Sequence, residues 1–198
     1  MRDYKLVIFD VDGTLVKTKT GGPFRKAADD WQWLPRRLHK LFQLEIAGTK
    51  VALATNQGGV AFGYLDPDEI SSELGKMAKE AHIPFVAMCF SHPNATIEQF
   101  KEDSPRRKPA PGMLLEIIEA SGEKIQDVLY VGDRTEDSHA AAAAGCDFQW
   151  SWDFFQDDYE RKGPCAICGC EVIDATPPDE KQFCGPCIYR GRIALNGL

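Results

Sequence analysis

Residues 6–9 (LVIF) form an unbroken apolar run that ends at an aspartate, and the same pattern returns at 51–54 and 128–131. Short continuous apolar runs of this kind predict strands buried on both faces of a parallel sheet. Between them the periodicity becomes helical: 36–47, stopped by Gly48; 67–81, with Asp66 as N-cap and Glu69 three residues on; and 112–120. A further strand is expected at 84–90, an alanine-rich helix at 138–144 closed by Gly145, and a last strand at 146–150. Such alternation predicts an α/β fold, a doubly wound parallel sheet whose ligands gather beyond the carboxyl ends of the strands. The charged stretch 153–162 runs into Gly163-Pro164 and marks a boundary, giving a main domain over 1–160 and a small module over 161–198.

Length and composition agree with one core and a small appendage: 198 residues, 43% hydrophobic and 27% charged. No apolar run approaches the roughly 18 residues of a membrane span, so no membrane partner is expected and a cytoplasmic location is the default. The net charge of -7 disfavours a broad surface that neutralises nucleic-acid phosphates, although a local basic patch remains compatible with it. Five of the seven cysteines fall between Cys165 and Cys187, a clustering that points to metal ligation rather than to a disulfide framework.

The polar residues that end the apolar runs carry the chemistry. Asp10 and Asp12 close the first strand, and Gly13 permits a tight turn that brings backbone N–H groups toward an anion. Two carboxylates so close repel unless a cation intervenes, and a hard divalent ion such as Mg2+ accepts oxygen ligands while leaving positions for a substrate phosphate. The second strand delivers the Thr55 hydroxyl and the amides around Asn56 to the same edge of the sheet. In the stretch PRRKPAPGM, Arg107 and Lys108 stand at the mouth of a helix, where a lysine can neutralise a bound phosphate. A third strand ends at Gly132-Asp133, with Asp137 four residues beyond as either a helix cap or a metal ligand.

Acid, hydroxyl, cation and acid in that order resemble the haloacid dehalogenase superfamily of phosphohydrolases, whose four motifs match Asp10-x-Asp12-Gly-Thr, Thr55, Lys108, and Gly132-Asp133 with Asp137. The resemblance covers residues 5 to about 155, and the phrases TNQGGVAFG and RKPAPGM narrow it to the group holding polynucleotide 3'-phosphatases, histidinol-phosphate phosphatases and heptose-bisphosphate phosphatases. It implies that Asp10 attacks phosphorus to form an aspartyl-phosphate and that Asp12 protonates the leaving oxygen and then activates water. It also implies Mg2+ held by the Asp10 carboxylate, the Asp12 carbonyl and Asp133, with Asp137 fixing the site, while Thr55, Asn56, Arg107 and Lys108 bind the phosphate.

The span between the first two motifs leaves little room for a cap domain, so the site is expected to be open. The stretch TKTGGPFRKAADDW (18–31) resembles the segment that follows the first motif in polynucleotide 3'-phosphatases, which makes a nucleic-acid 3' end the expected phosphorylated substrate. The alternative is a small-molecule phosphatase of the heptose-bisphosphate or histidinol-phosphate type; a non-catalytic protein that binds nucleic acid or a partner is the third reading. CFSHPNATIEQF resembles the zinc loop of heptose-bisphosphate phosphatases, but beside Cys89 and His92 the two further cysteines are replaced by Ser104 and Arg106, so no zinc is expected there.

In the tail, Cys165-x2-Cys168 and Cys184-x2-Cys187 fit a four-thiolate zinc ribbon, with Cys170 spare. A module of this size has little core of its own, so structural Zn2+ would supply its stability and the ribbon could dock nucleic acid or a protein partner. Metal analysis of the intact chain is expected to return about one zinc per molecule, lost in Cys168→Ser and retained in Cys170→Ser. Full zinc content in Cys168→Ser would remove this ligand set.

Overall fold

The computed structural model describes residues 3–156 and two short strands, Arg161–Pro164 and Glu171–Ile173. In chain order the elements are β1 (Leu6–Phe9), β2 (Val16–Lys17), β3 (Gln32–Trp33), α1 (Arg37–Ile46), β4 (Lys50–Asn56), α2 (Gly58–Ala61), α3 (Pro67–Glu80), β5 (Phe85–Cys89), α4 (Gly112–Ser121), β6 (Val128–Gly132), α5 (Thr135–Ala144), β7 (Asp147–Trp150) and α6 (Ser151–Phe155). Strands β5-β4-β1-β6-β7 form one sheet in that order, and every neighbouring pair in it is parallel.

Alternate residues of the central strands feed two cores, as the two-residue period of a strand requires. Val7, Phe9, Val51, Leu53, Leu129 and Val131 face Leu41 of α1 and Ile70, Leu74 and Met77 of α3. Leu6, Ile8, Ala52, Ala54, Val128 and Tyr130 face Met113, Leu114 and Ile117 of α4 and the alanines of α5. From β1 the chain winds outward through β4 to β5 and then returns to β6 on the other side of β1. The connections diverge between β1 and β6, which opens a crevice at the carboxyl ends of those strands.

Several expected boundaries shift for identifiable reasons. Helix α3 starts where the sequence places it: Asp66 accepts the Asp68 and Glu69 N–H groups at 2.9 and 3.0 Å. Helix α5 begins at Thr135, three residues before the start expected at 138, because the Asp137 carboxylate accepts the Arg134 N–H at 3.0 Å and closes the first turn. The segment between β1 and α1 forms a two-residue hairpin, β2 with β3, pinned to α3 by Trp31 and Trp33, whose Nε1 groups each reach a glutamate, Glu73 and Glu80, at 3.1 Å.

The stretch expected to open a charged linker at 153 is instead partly core. Phe154 and Phe155 of α6 lie 5.4 and 5.8 Å from the Phe9 ring, so the first compact unit ends at Phe155. The second unit begins at Gln156 and contains an antiparallel pair, Arg161–Pro164 with Glu171–Ile173, numbered β8 and β9. Cys165, Cys168, Cys170, Cys184 and Cys187, and with them the expected zinc site, lie outside the described residues. No helix among the described residues is long and apolar enough to cross a membrane.

Candidate active site

The crevice contains a buried cation surrounded by acids. The Lys108 ammonium donates to Asp10 Oδ1 at 2.6 Å, to the Ala54 carbonyl at 3.0 Å and to the Tyr130 hydroxyl at 2.9 Å, and lies 2.7 Å from Asp137 Oδ1. Tyr130 in turn donates to Asp137 Oδ1 at 2.8 Å. Lys108, Asp10 and Asp137 are all buried. One carboxylate oxygen each from Asp10, Asp133 and Asp137 falls within 4.8 Å of the others.

Local backbone chemistry holds each acid. Asp10 follows β1 directly, and its N–H bonds to the Val131 carbonyl of β6 at 2.9 Å, extending the ladder by one residue. Asp133 follows β6 and accepts from the Thr14 hydroxyl at 3.0 Å, while Gly13 has φ +90° and lies so close to Asp133 that a β-carbon there would collide with the carboxylate. Gly132 is required for a similar reason, because a β-carbon on it would stand 2.5 Å from the side chain of Asp137. Arg37, buried in α1, donates to the Thr14 carbonyl at 2.9 Å and so fixes the turn from below.

Electrostatics follow from three acids and one lysine out of water. Burial pushes the Asp10 carboxyl well above the ordinary carboxylate range; Lys108 opposes that shift, while Asp137 and Asp133 add to it. Desolvation and the neighbouring Asp137 raise Asp133 as well. For Lys108 burial pulls downward, but the carboxylates of Asp10 and Asp137 outweigh it and the ammonium is held charged. Burial and the same acids push the Tyr130 hydroxyl far up, so it remains a neutral donor. Three acids against the Lys108 ammonium and the neighbouring Arg134 guanidinium, which burial opposes but the same acids hold charged, still leave an excess of negative charge, and an oxygen-only donor set of this kind suits a hard divalent cation.

Asp12 stands apart from this cluster. Arg25 Nε donates to its Oδ1 and Gln57 Nε2 to its Oδ2, both at 2.7 Å, and the second proton of the same Gln57 nitrogen reaches Thr55 Oγ1 at 2.8 Å. Its carboxylate is therefore not one of the clustered acids, and any share it has in a cation site falls to its carbonyl. Thr55 is buried, and by accepting from Gln57 it keeps its own hydroxyl proton for another acceptor.

Two residues expected to bind phosphate have other partners. The Asn56 side chain makes a pair of bonds to the backbone of Lys108, Nδ2 to its carbonyl at 3.0 Å and Oδ1 from its N–H at 3.1 Å. It therefore holds the lysine-bearing loop, and these side-chain bonds do not engage the backbone amides around Asn56 that were expected to face the phosphate. Arg107 donates to the Ser91 carbonyl at 2.9 Å and lies against Gly58. In the loop compared with a zinc site, Ser104 Oγ accepts the Arg106 N–H at 3.3 Å, and Arg106 pairs with Glu116 at 2.9 Å.

Sequence reasoning missed Tyr130, Arg25, Gln57 and Arg37, and gave Thr14 no role beyond its place in the first motif. Tyr130 was legible as an interruption: a hydroxyl inside an otherwise aliphatic strand needs a buried partner. Gln57 lay inside the quoted TNQGG phrase. Nothing local marks Arg25, whose partner is thirteen residues away along a loop.

Residues 5–159 match the family described as polynucleotide kinase 3 phosphatase. The chain is 31% identical over 146 residues to a D-glycero-beta-D-manno-heptose-1,7-bisphosphate 7-phosphatase of Pseudomonas aeruginosa, covering 71% of this chain and 77% of the relative. It is 33% identical over 147 residues to the protein of the same description from Bordetella bronchiseptica, covering 72% and 77%. A crystal structure of D,D-heptose 1,7-bisphosphate phosphatase from B. bronchiseptica, complexed with magnesium and phosphate, superposes with a TM-score of 0.62 at 32% identity, covering 73% of this chain and 78% of that one.

Removing the buried cation strands two carboxylates, and a stranded buried charge typically costs about 3–5 kcal/mol unless it takes up a proton. Lys108→Met is therefore expected to lower the urea stability of the metal-free protein by about 3 kcal/mol at pH 7. Without the lysine the Asp10 carboxyl, already raised by burial, rises further. Acid then favours the folded form, and the deficit shrinks as pH falls toward 5. An equal deficit at both pH values would contradict the charge cluster.

Proposed function

The chain belongs to the polynucleotide kinase 3 phosphatase family and is a haloacid-dehalogenase-type phosphatase; from that footing we propose that it hydrolyses the phosphomonoester of a small phosphorylated sugar of the heptose-bisphosphate class, with Mg2+, through an aspartyl-phosphate on Asp10. The observation that carries the chemistry is the division of the acids: Asp10 sits bonded to Lys108 in the cluster, while Asp12 faces away toward Arg25 and Gln57. The sugar phosphate is supported by the two heptose-bisphosphate phosphatase relatives, which reverses the order of preference drawn from the sequence.

Each residue then has a task. Lys108 takes Oδ1 of Asp10 and leaves Oδ2 without a hydrogen-bond partner among the described residues, so Oδ2 is the oxygen that attacks phosphorus. As the ester P–O bond breaks, Asp12 gives its proton to the departing oxygen; water then attacks the phosphoryl-aspartate, its proton passes to Asp12, and Asp10 is released as carboxylate. Thr55 and Lys108 donate to the transferring oxygens. Asp10, Asp133 and Asp137, with the Asp12 carbonyl, are the groups that would hold magnesium, which when bound supplies positive charge to the phosphoryl oxygens and offsets the repulsion among the acids.

A nucleic-acid 3' end is the second reading, and a specific observation favours it. Phe24 and Tyr64 are 64% and 75% exposed, and they stand on the segments that supply Arg25 and Gln57 to Asp12. Exposed rings of this kind can stack on bases. Structural zinc in the tail, and a docking role for that module, belong to the same proposal.

Phosphate release from heptose bisphosphate, another sugar phosphate, histidinol phosphate and a 3'-phosphorylated oligonucleotide separates these substrates. The expected result is Mg2+-dependent release from the sugar phosphate, falling at least about a thousandfold in Asp10→Asn. Turnover of the oligonucleotide alone would restore the second reading, and equal activity in both proteins would remove Asp10 as nucleophile.

A further inference from the structure

Arg25 belongs to none of the four motifs, yet it makes one of the shortest contacts in the crevice. We propose that Arg25 is a positioning residue for the phosphatase reaction: with Gln57 it clamps the Asp12 carboxylate in the orientation from which the proton leaves for the ester oxygen and later returns from water. The inference rests on the reading of Asp12 as the proton shuttle.

The clamp is complete at Asp12. Its two carboxylate oxygens each accept one bond of 2.7 Å, Oδ1 from Arg25 Nε and Oδ2 from Gln57 Nε2, and the donors come from opposite sides, one from the loop between β2 and β3 and one from the end of β4. An aspartate in a turn, with 35% of its side chain exposed, would otherwise sample several rotamers. Proton transfer tolerates little of that freedom, because donor and acceptor must meet within about 2.6–3.2 Å in both half-reactions.

Arg25 is itself immobilised. Its side chain is 3% exposed, and Nη1 donates to the Ala28 carbonyl at 3.2 Å. Its Nη2 is buried and has no hydrogen-bond partner among the described residues. A guanidinium with one buried nitrogen unmatched is a poor choice for stability alone, since an apolar side chain of similar length would fill the space without that cost.

Apart from the Arg25 bond to Ala28, the loop is closed by a second set of contacts that does not involve Arg25. Asp30 accepts from the Thr20 N–H at 3.0 Å, the Thr20 hydroxyl at 2.8 Å and the Lys26 N–H at 3.0 Å, which closes the turn around position 25. Orientation of Asp12 is therefore what the arginine adds, at some loss of stability.

The test uses the full chain with Mg2+, comparing wild type, Arg25→Met, Arg25→Lys and Asp12→Asn on p-nitrophenyl phosphate and on a simple alkyl phosphate. A nitrophenolate leaves without a proton and an alkoxide does not, so a misplaced Asp12 affects the two substrates differently in the first step and equally in the second. Arg25→Met is expected to lower kcat on the alkyl phosphate on the order of a hundredfold with KM changed less than about twofold. On p-nitrophenyl phosphate it should give a first-turnover burst near the wild-type rate followed by slow turnover. Its thermal midpoint should equal or exceed that of wild type, and Arg25→Lys should recover part of the loss. Wild-type kinetics in Arg25→Met, or a lower midpoint with equal losses on both substrates and no burst, would overturn the assignment while leaving Asp12 in place. Full activity in Asp12→Asn, or none in wild type, would overturn the proton-shuttle reading and Arg25 with it.

Discussion

A single ammonium group organises the crevice. Lys108 reaches in from the loop before α4 and touches Asp10 after β1, Asp137 in α5, Tyr130 in β6 and the Ala54 carbonyl in β4. Three strands and a helix thus meet on one charge. Burying such a charge is costly unless every proton finds a partner, and here every proton does. The local requirements follow: a glycine at 132 so that Asp137 can approach, a hydroxyl inside β6, and the paired bonds from Asn56 that hold the lysine's own backbone.

The same charge accounts for the separation of the two motif aspartates. Asp10 shares the cluster with Asp133 and Asp137, where desolvation and like charge favour neutrality and lysine opposes it. Asp12, two residues on, is turned toward neutral and cationic donors from other segments. Two chemically identical side chains thereby acquire different surroundings, which is the general way in which a pair of carboxylates divides acid, base and nucleophilic work. The strand end makes this possible: β1 stops at Phe9, so the alternation that would hold residues two apart on one face no longer governs Asp12, and Gly13 lets the turn pass close beneath Asp133.

Much of this was legible along the chain. The apolar runs at 6–9, 51–54 and 128–131 are the three central strands, and the polar residues beyond them converge with the lysine before α4: Asp10, Asp133, Asp137 and Lys108 share the crevice, with Asp12 and Thr55 joined through Gln57. The sequence-based reading placed a linker where α6 lies, because the acids at 153, 157 and 158 masked two phenylalanines that pack on Phe9. The hold of the Asn56 side chain on the Lys108 loop left no local signature, because its partner lies fifty-two positions on. Arg25 escaped for the same reason, and no periodicity marks it. The substrate preference drawn from the sequence rested on a glycine-rich loop whose ordering depends on Asp30.

The account stands on Asp10 as the atom that takes the phosphoryl group. Acid quenching during turnover of an aryl phosphate, followed by mass spectrometric mapping, tests it most directly. A phosphoryl group on the peptide containing Asp10, accumulating further in Asp12→Asn where water activation is impaired, is the predicted result. Continued turnover with Asp10 unmodified throughout, or the phosphoryl group on another residue, would contradict it.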